Sequence, residues 1–204
     1  MRVMLAAVQQ INELVRATSE LGIGAVFGLG ERTAGASVER LHITQVVAVD
    51  GAVVAVQRKR HIADDEAGFV ADVNTTTFDL GGHRLGVVIC AESTVDFTWR
   101  AAVAAGADVA VFCSAPGLYG RRSSDAESQS GLAWWESAGL ADARHQPAKH
   151  GVWVAMATQA GSTINEDVPG IAALIDPHGT IVSRLPDWRP GCLIVDIPDA
   201  PRDA

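Results

Sequence analysis

A cysteine ends an apolar run near the middle of the chain. In LGVVICAEST, residues 85–94, a predicted buried strand leads to Cys90, where the sequence changes to residues that can begin a helix. In most proteins a cysteine at such a place is a small apolar core residue. A helix that begins near Ser93 would bring its N–H groups and dipole close to the sulfur, favouring the thiolate and an oxyanion. Cys90 is therefore a candidate nucleophile, and both interpretations remain open.

A basic segment, QRKRHI at residues 57–62, follows a predicted hairpin. Charged strand ends are usually solvated. Strand alternation, however, puts Lys59 and His61 on one face and Arg58 and Arg60 on the other. Lys59 could then face a site inside the protein while the arginines remain in solvent. A lysine near a thiolate would stabilise both the thiolate and any anion that it creates.

The elements that position these residues are predicted from periodicity. An apolar stripe at steps of three and four predicts a helix over 3–21, ending near Gly22; its members are Met4, Val8, Ile11 and Val15, joined by Leu14 and Leu21. Hairpins are predicted around Asp50–Gly51 and around Gly81–Gly82. A helix over STVDFTWRAAVAAGA, followed by the strand DVAVFCSA, completes a β-α-β unit.

The second half of the chain is predicted to contain a loop over 118–129, a helix over 131–149 that includes Pro147, and four more strands. These strands lie in GVWVAMAT, IAALIDPHGTIVSRL and CLIVDI. The total is about ten strands and three helices, with both hairpins and crossovers, which predicts an α/β or α+β layered domain. We expect residues 1–204 to form one such domain.

Composition limits the possible partners. The formal net charge of −8 disfavours nucleic acid and anionic membrane surfaces, so a small molecule is the expected ligand. The three cysteines are few, odd in number and without metal-ligand spacing, which is typical of a protein of the reducing cytoplasm. Cys113 and Cys192 are expected to be core residues. The first residues match neither a signal peptide nor a membrane span.

These motifs together resemble those of the carbon–nitrogen hydrolases, the nitrilase superfamily. RKRHI resembles the lysine motif of that family and GVVICAEST its cysteine motif, while FGLGER, IDPHGTIVSRL and LIVDI resemble further strands. The resemblance implies an α-β-β-α sandwich with a Glu-Lys-Cys triad, in which Cys90 and Lys59 are two members. It also implies that Glu66, in HIADDEAGF, helps to position the substrate, although an acid beside Asp64 and Asp65 is often merely solvated.

The sequence departs from the family pattern at several points. Gln57 and Ala91 stand where the family usually has aromatic residues, and Val95–Phe97 replaces its Phe-Pro-Glu. None of Glu13, Glu20 and Glu31 matches the triad glutamate. We therefore expect a shortened member that lacks the first strand and helix region, although MRVMLAAVQ can also be interpreted as the first strand of the family.

The resemblance implies hydrolysis of a non-peptide C–N bond in an amide, carbamoyl compound or nitrile. Cys90 would attack the carbon, a glutamate would move protons, and Lys59 with backbone N–H groups would stabilise the anion before water cleaves the thioester. No metal or organic cofactor is expected. We do expect a homodimer or a larger homo-oligomer. One rival is an impaired homologue that acts as a binding or oligomer-forming protein. Another pairs Cys90 with His61, as in glutamine amidotransferases, but VICAE lacks the glycines of their Gly-x-Cys-x-Gly elbow.

Overall fold

Two β-sheets pack face to face and carry helices on their outer sides. The computed structural model describes residues 2–34, 39–115, 133, 136–137, 140–162, 167–185 and 191–198. The helices are α1 (Arg2–Leu21), α2 (Asp96–Ala104) and α3 (Leu140–His150), and a 3-10 turn spans Cys90–Thr94. The strands are β1 (Gly24–Thr33), β2 (Arg40–Val49), β3 (Ala52–Arg58), β4 (Thr77–Leu80), β5 (His83–Ile89), β6 (Val109–Ser114), β7 (Trp153–Thr158), β8 (Ala160–Ser162), β9 (Asp167–Pro169), β10 (Ala172–Ile175) and β11 (Ile181–Arg184).

The first sheet is an antiparallel meander in the order β1-β2-β3. Its second turn is formed by Asp50 and Gly51, whose φ values of 50° and 79° suit the tight hairpin predicted there. Helix α1 covers the outer face of this sheet, and the backbone N–H of Gly51 donates a 2.9 Å hydrogen bond to Oγ1 of the buried Thr18. The turn is therefore anchored to the helix.

Helix α1 agrees with the predicted helix, but its buried side differs in part from the predicted stripe. Ile11 and Val15 are half-buried, as an amphipathic helix requires. Leu14 and Leu21, which we expected to join the stripe, are 46% and 68% exposed. The side chains of Met4 and Val8 lie outside the described residues.

The second sheet has six strands in the order β11-β10-β7-β6-β5-β4. Strands β5, β6 and β7 are parallel, and α2 connects β5 to β6 as the predicted β-α-β unit. Helices α2 and α3 cover the outer face, where a core forms around Trp99, Phe112, Leu140 and Val154. A second core between the two sheets contains Val47, Ala55, Phe78, Val87 and Ile89. The layers therefore follow the predicted α-β-β-α order.

The predicted elements of the C-terminal half need correction. Residues 191–198 form no regular strand, and Ile194 is 89% exposed, so the strand predicted over CLIVDI is wrong. Its apolar residues lack a neighbouring strand in the described part of the chain, and Cys192, expected in the core, is exposed. The hairpin β8–β9 was not predicted, since its strands are only three residues long.

Two other expectations fall wholly or partly outside the residues that the structure describes. The loop predicted over 118–129 and most of 131–139 lie outside the described residues, whereas the end of the predicted helix is present as α3. Within the residues that the structure describes, none of the helices has the length and apolar content needed to cross a membrane.

Candidate active site

Cys90 lies at the junction between β5 and the 3-10 turn, at the carboxyl end of a buried strand. Its φ of 49° is in the left-handed region, which costs a residue with a side chain about 1–2 kcal/mol. Such strain persists only where surrounding contacts impose it, and it is concentrated at functional sites. The conformation is therefore evidence that the position of the thiol is specified.

The helix expected just beyond Cys90 begins later than predicted. The 3-10 turn occupies Cys90–Thr94, and α2 starts at Asp96 rather than near Ser93. The predicted start near Ser93 is therefore about three residues too early, because the chain first completes this turn. The thiol is thus part of the turn instead of preceding an α-helix directly.

A cavity of about 530 Å³ opens in front of Cys90, a volume within the range of small-molecule sites. One wall is formed by β1 and β2, and the other lies at the carboxyl ends of the parallel strands β5, β6 and β7. Polar or reactive groups on its surface are Gln45, Glu66, Cys90, Cys113, Ser114, Thr158 and Gln159. Ligands of α/β proteins commonly bind at this end of a parallel sheet.

Glu66 connects the cavity to Lys59. The side chain of Lys59 is fully buried, and its Nζ donates to one carboxylate oxygen of Glu66. The other oxygen accepts a 2.7 Å hydrogen bond from the backbone N–H of Ala63. Glu66 and Cys90 both line the cavity. The structure therefore brings together two of the three predicted site residues in one cavity and pairs Glu66 with the third, Lys59.

Arg60 and Glu92 form a second, deeper ion pair. The guanidinium Nη2 lies 3.0 Å from Oε2 of Glu92, and both side chains are almost completely buried. The prediction that Arg60 remains in solvent is therefore wrong. Alternation failed because β3 ends at Arg58, so that both residues that follow can turn inward.

Glu92 also binds two backbone groups that flank the site. Its carboxylate accepts the N–H of Arg60, next to Lys59, and the N–H of Ile89, next to Cys90, at 3.0 Å in the second case. One buried carboxylate thus fixes the chain on both sides of the site. Sequence reasoning missed this role, because Glu92 and Arg60 are 32 residues apart.

The pKa values of Cys113 and Glu31 are shifted from their ordinary values. Burial raises the pKa of Cys113 to about 11, so this thiol stays protonated at neutral pH although it lines the same cavity as Cys90. Hydrogen bonds from Arg58, and a smaller contribution from Thr44, hold the pKa of Glu31 below its usual value. Glu31 faces Arg58 on the outer side of the first sheet and does not line the Cys90 cavity.

Gln45 was also missed by sequence reasoning. It lies between Ile43 and Val47 on the inward-facing side of β2, and a polar residue in that apolar alternation was the available signal. For metals, the described residues contain no group of histidine, cysteine and acidic side chains that could hold an ion.

Comparison with known proteins agrees with this architecture. The family model of the carbon–nitrogen hydrolases matches residues 4–201. No curated protein sequence matches the chain at a significant level.

Solved structures of similar fold come from amidases and carbon–nitrogen hydrolases. A glutamate-to-glutamine variant of the amidase from Nesterenkonia sp. AN1, with the acetamide moiety of fluoroacetamide on its active-site cysteine, superposes with a TM-score of 0.72 at 24% identity, over 92% of this chain and 66% of that one. A carbon–nitrogen hydrolase from Helicobacter pylori G27 gives a TM-score of 0.69 at 18% identity, over 85% of this chain and 61% of that one. The chain therefore spans less than two thirds of either structure.

Proposed function

Because the chain belongs to the carbon–nitrogen hydrolase family, we propose that it hydrolyses a non-peptide C–N bond in a small amide, carbamoyl compound or nitrile. The observation that carries this proposal is that Cys90 and Glu66 line one cavity and that the fully buried Lys59 forms an ion pair with Glu66. A thiol, a carboxylate and a buried cation are groups that serve acyl transfer through a thioester as nucleophile, proton carrier and anion stabiliser.

In the proposed reaction with an amide, the Cys90 proton passes to a carboxylate as the sulfur forms a bond to the carbonyl carbon. The carbonyl π electrons move to oxygen, and the resulting oxyanion is stabilised by Lys59 and backbone N–H groups. Collapse breaks the C–N bond, and the leaving nitrogen takes the proton from the carboxylic acid. Water then attacks the thioester and gives a proton to the same carboxylate. The C–S bond breaks, and the proton passes from the carboxylic acid of the enzyme to the sulfur, which releases the product acid and restores the thiol.

We assign the proton transfer to Glu66. In the described part of the chain it is the one carboxylate that lines the Cys90 cavity. Its side chain is only partly buried, with 19% exposure, so substrate and water can reach it. Lys59 would then have two roles: its ion pair holds Glu66 in position, and its charge stabilises the oxyanion.

Fluoroacetamide and acetamide supply the test. The native chain is expected to release ammonia from acetamide and to acquire an acetamide moiety from fluoroacetamide on Cys90, measured by peptide mass spectrometry. Cys90→Ala should abolish both, and Glu66→Gln should lower kcat/KM about 10²- to 10⁴-fold. Asp65→Asn is the control, because Asp65 is an exposed acid in the same loop. Equal activity of Glu66→Gln and Asp65→Asn would refute the role of Glu66.

A second candidate function is a binding protein with impaired turnover. It is favoured by the state of Glu66, whose two oxygens already bind Lys59 and Ala63. This candidate predicts that fluoroacetamide labels Cys90 while acetamide yields no ammonia. Hydrolysis of acetamide that depends on Cys90 would exclude it.

A further inference from the structure

Gln45 has a buried polar atom that lacks a partner among the described residues. Its side chain is on the inner face of β2, the residue is 7% exposed, and Oε1 makes no hydrogen bond within the described residues. A buried acceptor without a donor destabilises a fold and therefore needs an explanation. Gln146 shares this property, but it belongs to α3 on the far side of the second sheet and does not line the cavity.

The Gln45 amide lies at the wall of the Cys90 cavity. Gln45 pairs with Gly28 across the β1–β2 ladder, and both line the cavity. A Cβ at position 28 would come within 2.7 Å of Nε2 of Gln45, so the amide group covers the glycine. The last side-chain torsion of glutamine is broad, and rotation about it can turn Oε1 towards a ligand.

Gln57 shows what a structural glutamine looks like in this protein. It faces Gln45 in the β2–β3 register and is also buried, with 1% exposure against 7% for Gln45. Its Nε2 donates to the carbonyls of Arg58 at 2.7 Å and Asn74 at 2.9 Å, and its Oε1 accepts the N–H of Thr76 at 2.8 Å. Every polar group of Gln57 thus has a partner in the fold, whereas Oε1 of Gln45 has none in the described part of the chain.

We propose that Gln45 is a specificity-determining residue, whose Oε1 accepts a hydrogen bond from the N–H of a carboxamide or carbamoyl group held over Cys90. This inference rests on the proposed function and narrows its substrate class. An amide NH₂ donates hydrogen bonds, whereas a nitrile nitrogen can only accept them. A nitrile in the cavity would leave Oε1 unpaired, so Gln45 selects amides over nitriles.

The test compares two thiol reagents of similar size that differ in this donor. Iodoacetamide carries an NH₂ group and iodoacetonitrile does not. The rate of labelling of Cys90 by each reagent is measured by peptide mass spectrometry and divided by that of the exposed Cys192 in the same molecule. This division removes the intrinsic reactivity of the reagents.

The amide-to-nitrile ratio at Cys90 should fall roughly two- to tenfold in Gln45→Leu, as expected for the loss of one hydrogen bond. Gln45→Met, closer in shape, is the second variant if Gln45→Leu folds poorly. Gln57→Leu should lower the thermal stability and leave the ratio unchanged. An unchanged ratio in both Gln45 variants, with Cys90 still reactive, would overturn the inference while leaving the proposed function intact. If Cys90 of the native chain reacts with neither reagent, both this inference and the proposed function are overturned.

Discussion

The Glu92 carboxylate binds the Arg60 side chain through Nη2 at 3.0 Å and also accepts the backbone N–H of Arg60. The same guanidinium donates to the carbonyls of Val87 and Thr98 and to Oγ1 of Thr75. Arg60 follows Lys59 directly, and Glu92 lies in the turn that begins at Cys90. The pair therefore sets the spatial relation between the end of β3 and the turn that carries the thiol.

Replacing Glu92 by Gln is expected to lower the free energy of unfolding by about 3–5 kcal/mol, because it leaves a buried guanidinium without its counter-charge. Urea unfolding measures this loss. Asp79→Asn is the matched control: the Asp79–Arg84 pair has similar geometry but is exposed, so no measurable change is expected. A loss no larger than that of the control would contradict the structural role of the pair.

A double variant separates the effect of the Arg60–Glu92 pair on stability from its effect on the position of Cys90. Arg60→Met combined with Glu92→Leu replaces the ion pair by apolar groups and should recover much of the stability. It cannot restore the hydrogen bonds to the N–H groups of Ile89 and Arg60. We therefore expect Cys90 to label more slowly in the double variant than in the native chain, even though most of the stability is recovered. Native labelling rates would show that the turn does not need Glu92.

Cys90 and Cys113 line one cavity and should nevertheless differ in reactivity. With a pKa of about 11, Cys113 is about one-thousandth thiolate at about pH 8, and only the thiolate reacts. Iodoacetamide is expected to modify Cys90 and to spare Cys113 at that pH. Labelling of Cys113 should rise about tenfold per pH unit until its pKa is approached. Equal labelling of both thiols at about pH 8 would refute the proposal that Cys90 is the nucleophile of this cavity.

The elements around the site could be predicted because local signals specify them. Alternation and the Asp50–Gly51 turn define β2 and β3, and the inward position of Lys59 follows from the same alternation. Its side chain is indeed fully buried. The family resemblance added the sandwich order, which the layers confirm. It also pointed to Glu66, which lines the Cys90 cavity and whose role stays a prediction.

The failures have a common physical origin in contacts between distant segments. Arg60 was expected in solvent, since nothing near it in sequence indicates the carboxylate 32 residues later. The left-handed φ of Cys90 and the delayed start of α2 also depend on how this turn packs. The apolar run CLIVDI has a strand-like composition, but composition alone does not supply a pairing partner.

Self-association is expected to involve the exposed valines of β3. Val53, Val54 and Val56 are 47%, 51% and 41% exposed, and a cluster of apolar side chains on one strand favours a protein contact. Sedimentation equilibrium should give a mass above the 21.4 kDa of one chain. Val54→Lys should shift the mass towards that of the monomer. Val182→Lys, at an equally exposed valine of β11, should not. A monomeric native chain would exclude the homo-oligomer.

Glu31 and Glu66 are two acids bound to cations, and substitutions should separate their roles. Glu31 accepts hydrogen bonds from Nε and Nη2 of Arg58, at 2.8 and 2.6 Å, and from Thr44 at 2.8 Å. These contacts hold its pKa below the usual range. The folded state therefore favours the ionised carboxylate. The resulting stability is present above the ordinary pKa and is lost as the pH falls through the lowered one.

Glu31→Gln should accordingly lower the free energy of unfolding at neutral pH by about 1–2 kcal/mol, and the deficit should shrink as the pH falls from neutral to below the ordinary carboxyl pKa. Urea unfolding across this pH range measures it, with Glu39→Gln as the control because the Glu39–Arg32 pair is exposed. Labelling of Cys90 by fluoroacetamide should be unchanged in Glu31→Gln, since Glu31 does not line the cavity, and should fall in Glu66→Gln. The reverse pattern would make Glu31 the proton carrier and would remove that role from Glu66.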